Sequence, residues 1–416
     1  MRLRLLDYVG NLGGGIRFST ELISALMHSG EDIELELCSH GEPLERYVHM
    51  LEGAGIPFRR LDIEPLEGWR NRPRKLWNLP RTTRLMRLLG HGDRWHIAVP
   101  ERAFEGCDVV LMPWLHRHRL PERTEAQVVA SFHDAILFQF PGILADRFVA
   151  EERESLRGWV ANPDVRIVVS SNATIATLRG LFGVEAPRFD LVPVSGEHLP
   201  ALPEAMPGPE PWNRGPYLLC PANTFPHKNH EVLFEGFSRW GAKHPLVISG
   251  EGTLMQPPRT GRNRVLRGVV SRLGLRMGEN LIPLGYIDNA RYFSLLSHCR
   301  ALVMPTRAEG GGSFPVFEAM NAGIPVVCSR IPVMVEQMER TGGEVLWFDV
   351  DDPGDLARAL RELEDDYPRH KERAMRQKNQ MRERSWQEVA REYRHLLAAS
   401  SGSDRAAIHP LQRILT

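Results

Sequence analysis

Residues 306–323 read TRAEGGGSFPVFEAMNAG and lie between two short apolar runs, one at 301–304 and one ending on Cys328. Short apolar runs bounded by turn signals are buried strands, and neighbouring parallel strands need a crossover helix, so the unit reads as strand, turn, helix, strand. The turn carries the information. Gly310, Gly311 and Gly312 leave backbone amides uncovered, Ser313 stands where a helix cap belongs, and Pro315 in the first helical turn costs no hydrogen bond. Ligands of open α/β sheets sit beyond the carboxyl ends of the strands, and free amides at the positive end of a helix dipole favour a diphosphate there. Glu309 precedes this turn and Glu318 lies inside the helix. Taken alone, the stretch also fits an ordinary strand–helix turn with two solvated acids.

The same alternation extends outward. At the amino end an apolar run over 3–8 leads into Gly10, Gly13, Gly14 and Gly15, and then Phe18, Leu22 and Leu26 recur at four-residue steps, which is strand, loop, helix. Further apolar runs follow at 33–38, 109–112, 128–132, 167–170 and 191–194. Prolines at 193, 200, 203, 207, 209, 211 and 216 then exclude helix and central strand alike. Beyond them strands are expected near 218–220, 246–249, 281–284, 301–304, 326–328 and 345–348. The fold class is therefore α/β with two Rossmann-like domains: 1–195, a proline-rich linker over 196–216, and 217–384. A helix with Trp386, Val389, Tyr393 and Leu396 on one face opens the last segment, 385–416, and a polar tail follows.

Composition narrows the function classes. The 416 residues are 42% hydrophobic and 25% charged, with Lys+Arg and Asp+Glu at 52 each, so no net field draws the chain to nucleic acid or anionic membrane. The five cysteines are scattered, without the close spacing of structural zinc sites, and are expected as buried thiols in a reducing, cytoplasmic setting. No stretch has the length and apolarity of a membrane span. One segment departs from the neutral average: 68–92 holds seven basic residues, Trp69 and Trp77, and no acid. It is a candidate for peripheral contact with the inner face of a membrane or with a phosphate-linked acceptor; another polyanion or a solvated face would suit it equally.

The 306–323 segment resembles the E-x7-E signature of family-four retaining glycosyltransferases of the GT-B fold. Here Glu309 and Glu318 enclose eight residues rather than seven, while Glu318 with AMNAGIPVV after it matches the second acid. CPANTFPHKNHEVLFEGF at 220–237 resembles the family's donor-phosphate loop, with Lys228 at the lysine position and Asn223 where many relatives carry arginine. SFHDAILFQFPG at 131–142 resembles the His-Asp turn placed near the transferred sugar; the implied role of His133 is a hydrogen bond to a sugar hydroxyl, and Asp134 holds the turn or orients His133. SSNATIATLRGLFGV at 170–184 is similar to the strand and helix before the interdomain crossing, with Ser171 as a contact.

The resemblance implies two domains facing across a cleft, closing on a nucleotide-diphosphate sugar, with the sugar passing to a glycan, lipid-linked or small-molecule acceptor with retention. It implies catalytic roles for His133, Lys228 and Glu309. Donor contacts fall to Gly14, Gly15, Asn223, Lys228, Gly310, Gly311, Gly312, Ser313, Phe314 and Glu318. One acid would meet the sugar and the other the ribose hydroxyls. No metal, cofactor or nucleic acid is expected. The rivals are an epimerase or phosphorylase on the same architecture, a catalytically silent nucleotide-sugar-binding scaffold, and, remotely, a metal hydrolase using His116, His118, His133 and Asp134.

Overall fold

All but one of the apolar runs form strands buried on both faces, as strands covered by helices on both sides must be; the run at 191–194 instead follows a half-buried edge strand, Phe189–Leu191, and shares only Leu191 with it. The structure is a computed structural model that describes residues 1–10, 14–29, 32–66, 96–121, 124–140, 143, 145–185, 188–196, 215–255, 261–382 and 384–400, without the side chains of the last two. The basic segment 68–92, Gly13, most of the linker and the tail after 400 lie outside the described residues.

The first sheet is fully parallel, with spatial order β3 (Arg59–Asp62), β2 (Glu34–Ser39), β1 (Arg2–Leu6), β5 (Val109–Met112), β7 (Gln127–Ser131), β8 (Val165–Val169) and β9 (Phe189–Leu191). Two short strands, β4 (Ile97–Ala98) and β6 (His118–Arg119), pair separately. The second sheet, also parallel, runs β12 (Leu281–Pro283), β11 (Leu246–Ser249), β10 (Leu218–Pro221), β13 (Ala301–Met304), β14 (Val326–Ser329) and β15 (Leu346–Phe348).

In both sheets the first strand in sequence lies inside, and the order reverses beside it: between β1 and β5, and between β10 and β13. A crevice opens at the carboxyl ends of such a switch point. The glycine cluster follows β1, while the loops carrying Lys228 and Glu309 follow β10 and β13. Topology alone thus brings the two candidate loops of the second domain side by side.

The chain then returns. Trp386, Val389, Ala390, Tyr393, Leu396 and Leu397 of helix Trp386–Ser400 are buried in one cluster with Leu3, Leu5 and Leu22 of the first domain. The Tyr393 hydroxyl shares a 2.9 Å hydrogen bond with Ser131 Oγ. Arg384 donates to the Pro193 carbonyl at 3.1 Å, tying the return to the outgoing strand end. A second tie is electrostatic: Glu336 of helix Pro332–Thr341 accepts from the amides of Asn172 (2.8 Å) and Ala173 (3.0 Å), setting a carboxylate at the positive end of helix Asn172–Phe182 in the other domain.

If this last helix is part of the first core, Leu397→Ala should destabilise that domain by about 2–5 kcal/mol, because its side chain is fully buried and leaves a cavity. Denaturant unfolding followed by fluorescence checks this; a loss below about 0.5 kcal/mol would place the helix outside the core.

Candidate active site

A cavity of about 600 Å³ lies where the carboxyl edges of the two sheets meet. The first domain contributes Gly14, Ile16, Arg17, Thr20, Glu21 and Met50; the second contributes Lys228, Gly250, Tyr286, Tyr292, Glu309, Gly312, Ser313, Phe314 and Glu318, among others. Another cavity of about 500 Å³, by Met1, Arg2, Asp32, Glu34 and Asp108, sits at the amino ends of β1 and β2. That is the wrong edge for a ligand of a parallel sheet.

Among the described residues, two ion pairs together with Glu21 make up the charged lining of the interdomain cavity. Lys228 Nζ donates to Glu309 Oε1 at 2.5 Å. Lys228 ends the short 3-10 turn Pro226–Lys228, and Asn229 follows in the left-handed conformation (φ 57°), which asparagine tolerates better than most residues. Asn229 Nδ2 donates to the Val350 carbonyl (2.7 Å), and the Arg307 amide donates to the His227 carbonyl (2.7 Å), so the lysine loop is pinned to the loop that carries Glu309.

The other pair crosses the cleft. Glu318, 1% exposed, accepts from the Arg17 guanidinium through one oxygen and from the Tyr292 hydroxyl through the other. Arg17 stands in helix Gly14–Met27 of the first domain, and its guanidinium lies 4.5 Å from the centre of the Phe314 ring. A carboxylate this deeply buried needs such partners. Burial, reinforced by the neighbouring Glu318 charge, holds the Tyr292 phenol well above its ordinary pKa, so it stays a donor.

The glycine turn differs from its sequence reading in one respect and gains a role. Ser313 occupies the N-cap position of helix Phe314–Asn321 but makes no side-chain cap bond, and its amide is covered by Gln337 Oε1 at 2.9 Å. The cap is thus supplied by the following helix, not by Ser313, and this amide is taken. A methyl group on Gly310 would lie 2.3 Å from the His133 carbonyl oxygen, and one on Gly311 would lie 2.5 Å from Ser170 Cβ. Gly312 has φ 110° and would meet Gln337. The Gly310 carbonyl accepts from Ser171 Oγ (2.7 Å) and Thr174 Oγ1 (3.0 Å). Close approach of the first domain's backbone is therefore a sufficient reason for glycine here.

The remaining candidates divide. Gly14 lines the cavity, and a methyl group on it would lie 3.7 Å from the Phe314 ring, whereas Gly15 lies outside the lining. Asn223 is also outside it: its Oδ1 accepts from the Phe225 amide at 3.2 Å, closing its own loop. His133 sits behind the wall, with Nδ1 bonded to Ser170 Oγ (2.9 Å) and its ring edge-on to Phe18 and stacked on Trp114. Asp134 Oδ1 accepts from the Ile136 amide (3.0 Å) and so holds the turn. His118 accepts from the Tyr8 amide through Nε2 and bonds the His116 carbonyl through Nδ1, while His116 pairs with Glu152. Among the described residues, no group of three or more His, Cys, Asp or Glu is arranged to hold a metal. Arg17, Tyr292 and Gln337 were not among the sequence candidates. Arg17 alone left a signal, a cation just after the first glycine cluster; the other two are brought in by packing.

Residues 205–384 match the family model described as glycosyl transferases group 1. The fold is similar to a glycosyltransferase from Rickettsia africae (TM-score 0.61, 13% identity, covering 97% of this chain and 98% of that one). It is also similar to HepE from Anabaena, solved with UDP and glucose (TM-score 0.62, 14% identity, 96% and 100% covered). The fold is GT-B, and the match to the group 1 glycosyl transferases covers the second domain. Within that class the chain is similar to O-antigen chain mannosyltransferase B of Escherichia coli, 28% identical over 260 residues, a match that spans 59% of this chain and 64% of the relative.

Gly310→Ala is expected to push the domains apart while each stays folded, because the new methyl would overlap a backbone carbonyl that cannot swing away. An unchanged radius of gyration in small-angle scattering would refute this. A pH effect also follows: burial first of all lowers His133 and His230 to about 4 and His227 to about 3. Their folded values lie below the unfolded value near 6.5, so the stability they contribute is full above that pH and is lost as pH falls towards those values, by up to about 1.4 kcal/mol per pH unit for each group. Denaturant unfolding at pH 7 and 5 should show the drop; equal stability at both would count against neutral burial.

Proposed function

We propose that this protein moves a sugar from a nucleotide-diphosphate donor, bound in the interdomain cavity, to an acceptor, with retention of anomeric configuration. The observation that carries this reading is the cavity itself, where the carboxylates Glu309 and Glu318 and the cation Lys228 meet at the carboxyl edge of the second sheet. The group 1 match over the second domain and the UDP in HepE support a nucleotide there. The name of the Escherichia coli relative supports mannose as the sugar and a growing surface polysaccharide, glycan or lipid-linked, as the acceptor.

In this reading the ribose hydroxyls donate to Glu318, and the diphosphate takes Lys228 from Glu309, whose carboxylate is then free to face the sugar. As the bond from the anomeric carbon to the phosphate oxygen breaks, negative charge builds on the leaving phosphate, and the preplaced ammonium of Lys228 stabilises it. The acceptor hydroxyl attacks the face the phosphate leaves, and that phosphate takes its proton. The His133 carbonyl lies against Gly310 while its neutral ring is held by Ser170, so in this reading His133 positions the turn instead of touching the sugar directly. Metal independence belongs to the proposal, as does a cytoplasmic site of action. Among the described residues no helix is long and apolar enough to cross a membrane, and contact with a lipid-linked acceptor is assigned to the basic segment 68–92.

The test is nucleotide release from UDP-, GDP-, dTDP- and ADP-sugars with chelator present, GDP-mannose first. One donor should be turned over, and Lys228→Ala and Glu318→Ala should each lower the rate by about 10²-fold or more. Full activity in both variants would move the donor elsewhere. Binding without turnover, even with oligosaccharide or lipid-linked acceptors, would favour the silent scaffold, and activity only without chelator would remove the metal-free step.

A further inference from the structure

The second domain brings one cation to the cavity where the resemblance implies two. Asn223 stands at the other basic position, and its side chain is turned back onto its own loop. A nucleotide-sugar diphosphate carries two negative charges, so Lys228 alone leaves about one uncompensated in a partly desolvated site. Of the residues lining the cavity, the basic ones are Lys228 and Arg17.

Arg17 comes from the opposite domain. Its guanidinium rests on Phe314, the first residue of the helix whose amino end closes the cavity, and it is paired with Glu318 in the ligand-free protein. Lys228 is paired in the same way with Glu309. The two pairs have one physical meaning: each cation is neutralised by an acid that a donor would engage by other means. Sugar and ribose hydroxyls can donate to the carboxylates, and the diphosphate oxygens can accept from the cations. A planar guanidinium, able to give two parallel hydrogen bonds, suits a phosphate at least as well as a carboxylate.

We propose that Arg17 is the second donor-phosphate cation, standing in from the first domain for the arginine absent at Asn223. Donor binding then exchanges partners in both ion pairs at once, and the diphosphate, held by Lys228 on one side and Arg17 on the other, bridges the domains. This inference rests on the donor reading above.

Calorimetric titration of the full chain with GDP, UDP, dTDP and ADP, and with the four matching nucleosides, tests it, using wild type, Lys228→Met, Arg17→Met and Arg17→Lys. For the preferred base, Arg17→Met should weaken the diphosphate by about 10–100-fold, the range for a lost hydrogen bond to a charged group, and leave the nucleoside within about twofold. Arg17→Lys, which keeps the charge and loses the fork, should fall between and serves if Arg17→Met fails to fold. A residue that only held Glu318 in place would change nucleoside and diphosphate binding alike, and that result overturns the proposal. If Lys228→Met weakens the diphosphate and neither Arg17 variant does, the proposal fails while the donor reading stands. If wild type binds none of the four diphosphates, both fall.

Discussion

Glu318 is a carboxylate buried to 1% exposure in the second domain, and a guanidinium of the first domain meets its charge. Much of the cleft follows from that constraint. An ionised acid in so dry a position must be hydrogen-bonded through both oxygens, and Arg17 and Tyr292 do this from two different elements. The pairing brings helix Gly14–Met27 against Phe314 and fixes one wall of the cavity. The Lys228–Glu309 pair, 17% and 12% exposed, sits in the same cavity and gives it a second neutralised charge.

The glycine turn shows how one sequence feature can answer two demands. Three successive glycines after a strand suggest bare amides waiting for phosphate. In the folded chain, Gly310 and Gly311 press against His133 and Ser170, and Ser171 and Thr174 grip the Gly310 carbonyl. Any side chain at these two positions would hold the domains apart. Gly312 still reaches the cavity, so the turn is at once a joint between domains and part of the wall.

Much of this was legible beforehand. The apolar runs read as strands are strands except the one at 191–194, where the strand is Phe189–Leu191 and only Leu191 is shared; the two parallel sheets are present, and the face of Trp386, Val389, Tyr393 and Leu396 joins the first core. Lys228, Glu309 and Glu318 do converge on one cavity. Other assignments depended on side-chain direction, which strand and helix spacing cannot supply. Ser313 has the residue type and position of a cap, yet Gln337 caps the helix; Asn223 lies in the right loop and faces the wrong way. His133 sits behind the wall, neutral through burial.

The sequence by itself determined the periodicities: which residues form strands, where glycine and proline break them, and which loops end up at a carboxyl edge. These are local consequences of φ/ψ preference and of burying apolar faces. Only the tertiary structure decided which charges meet. Arg17 and Glu318 are separated by 301 residues, and no local rule relates them. Their pairing is settled by the docking of two separate sheets, because a buried carboxylate takes whichever cation the packed surfaces bring within reach.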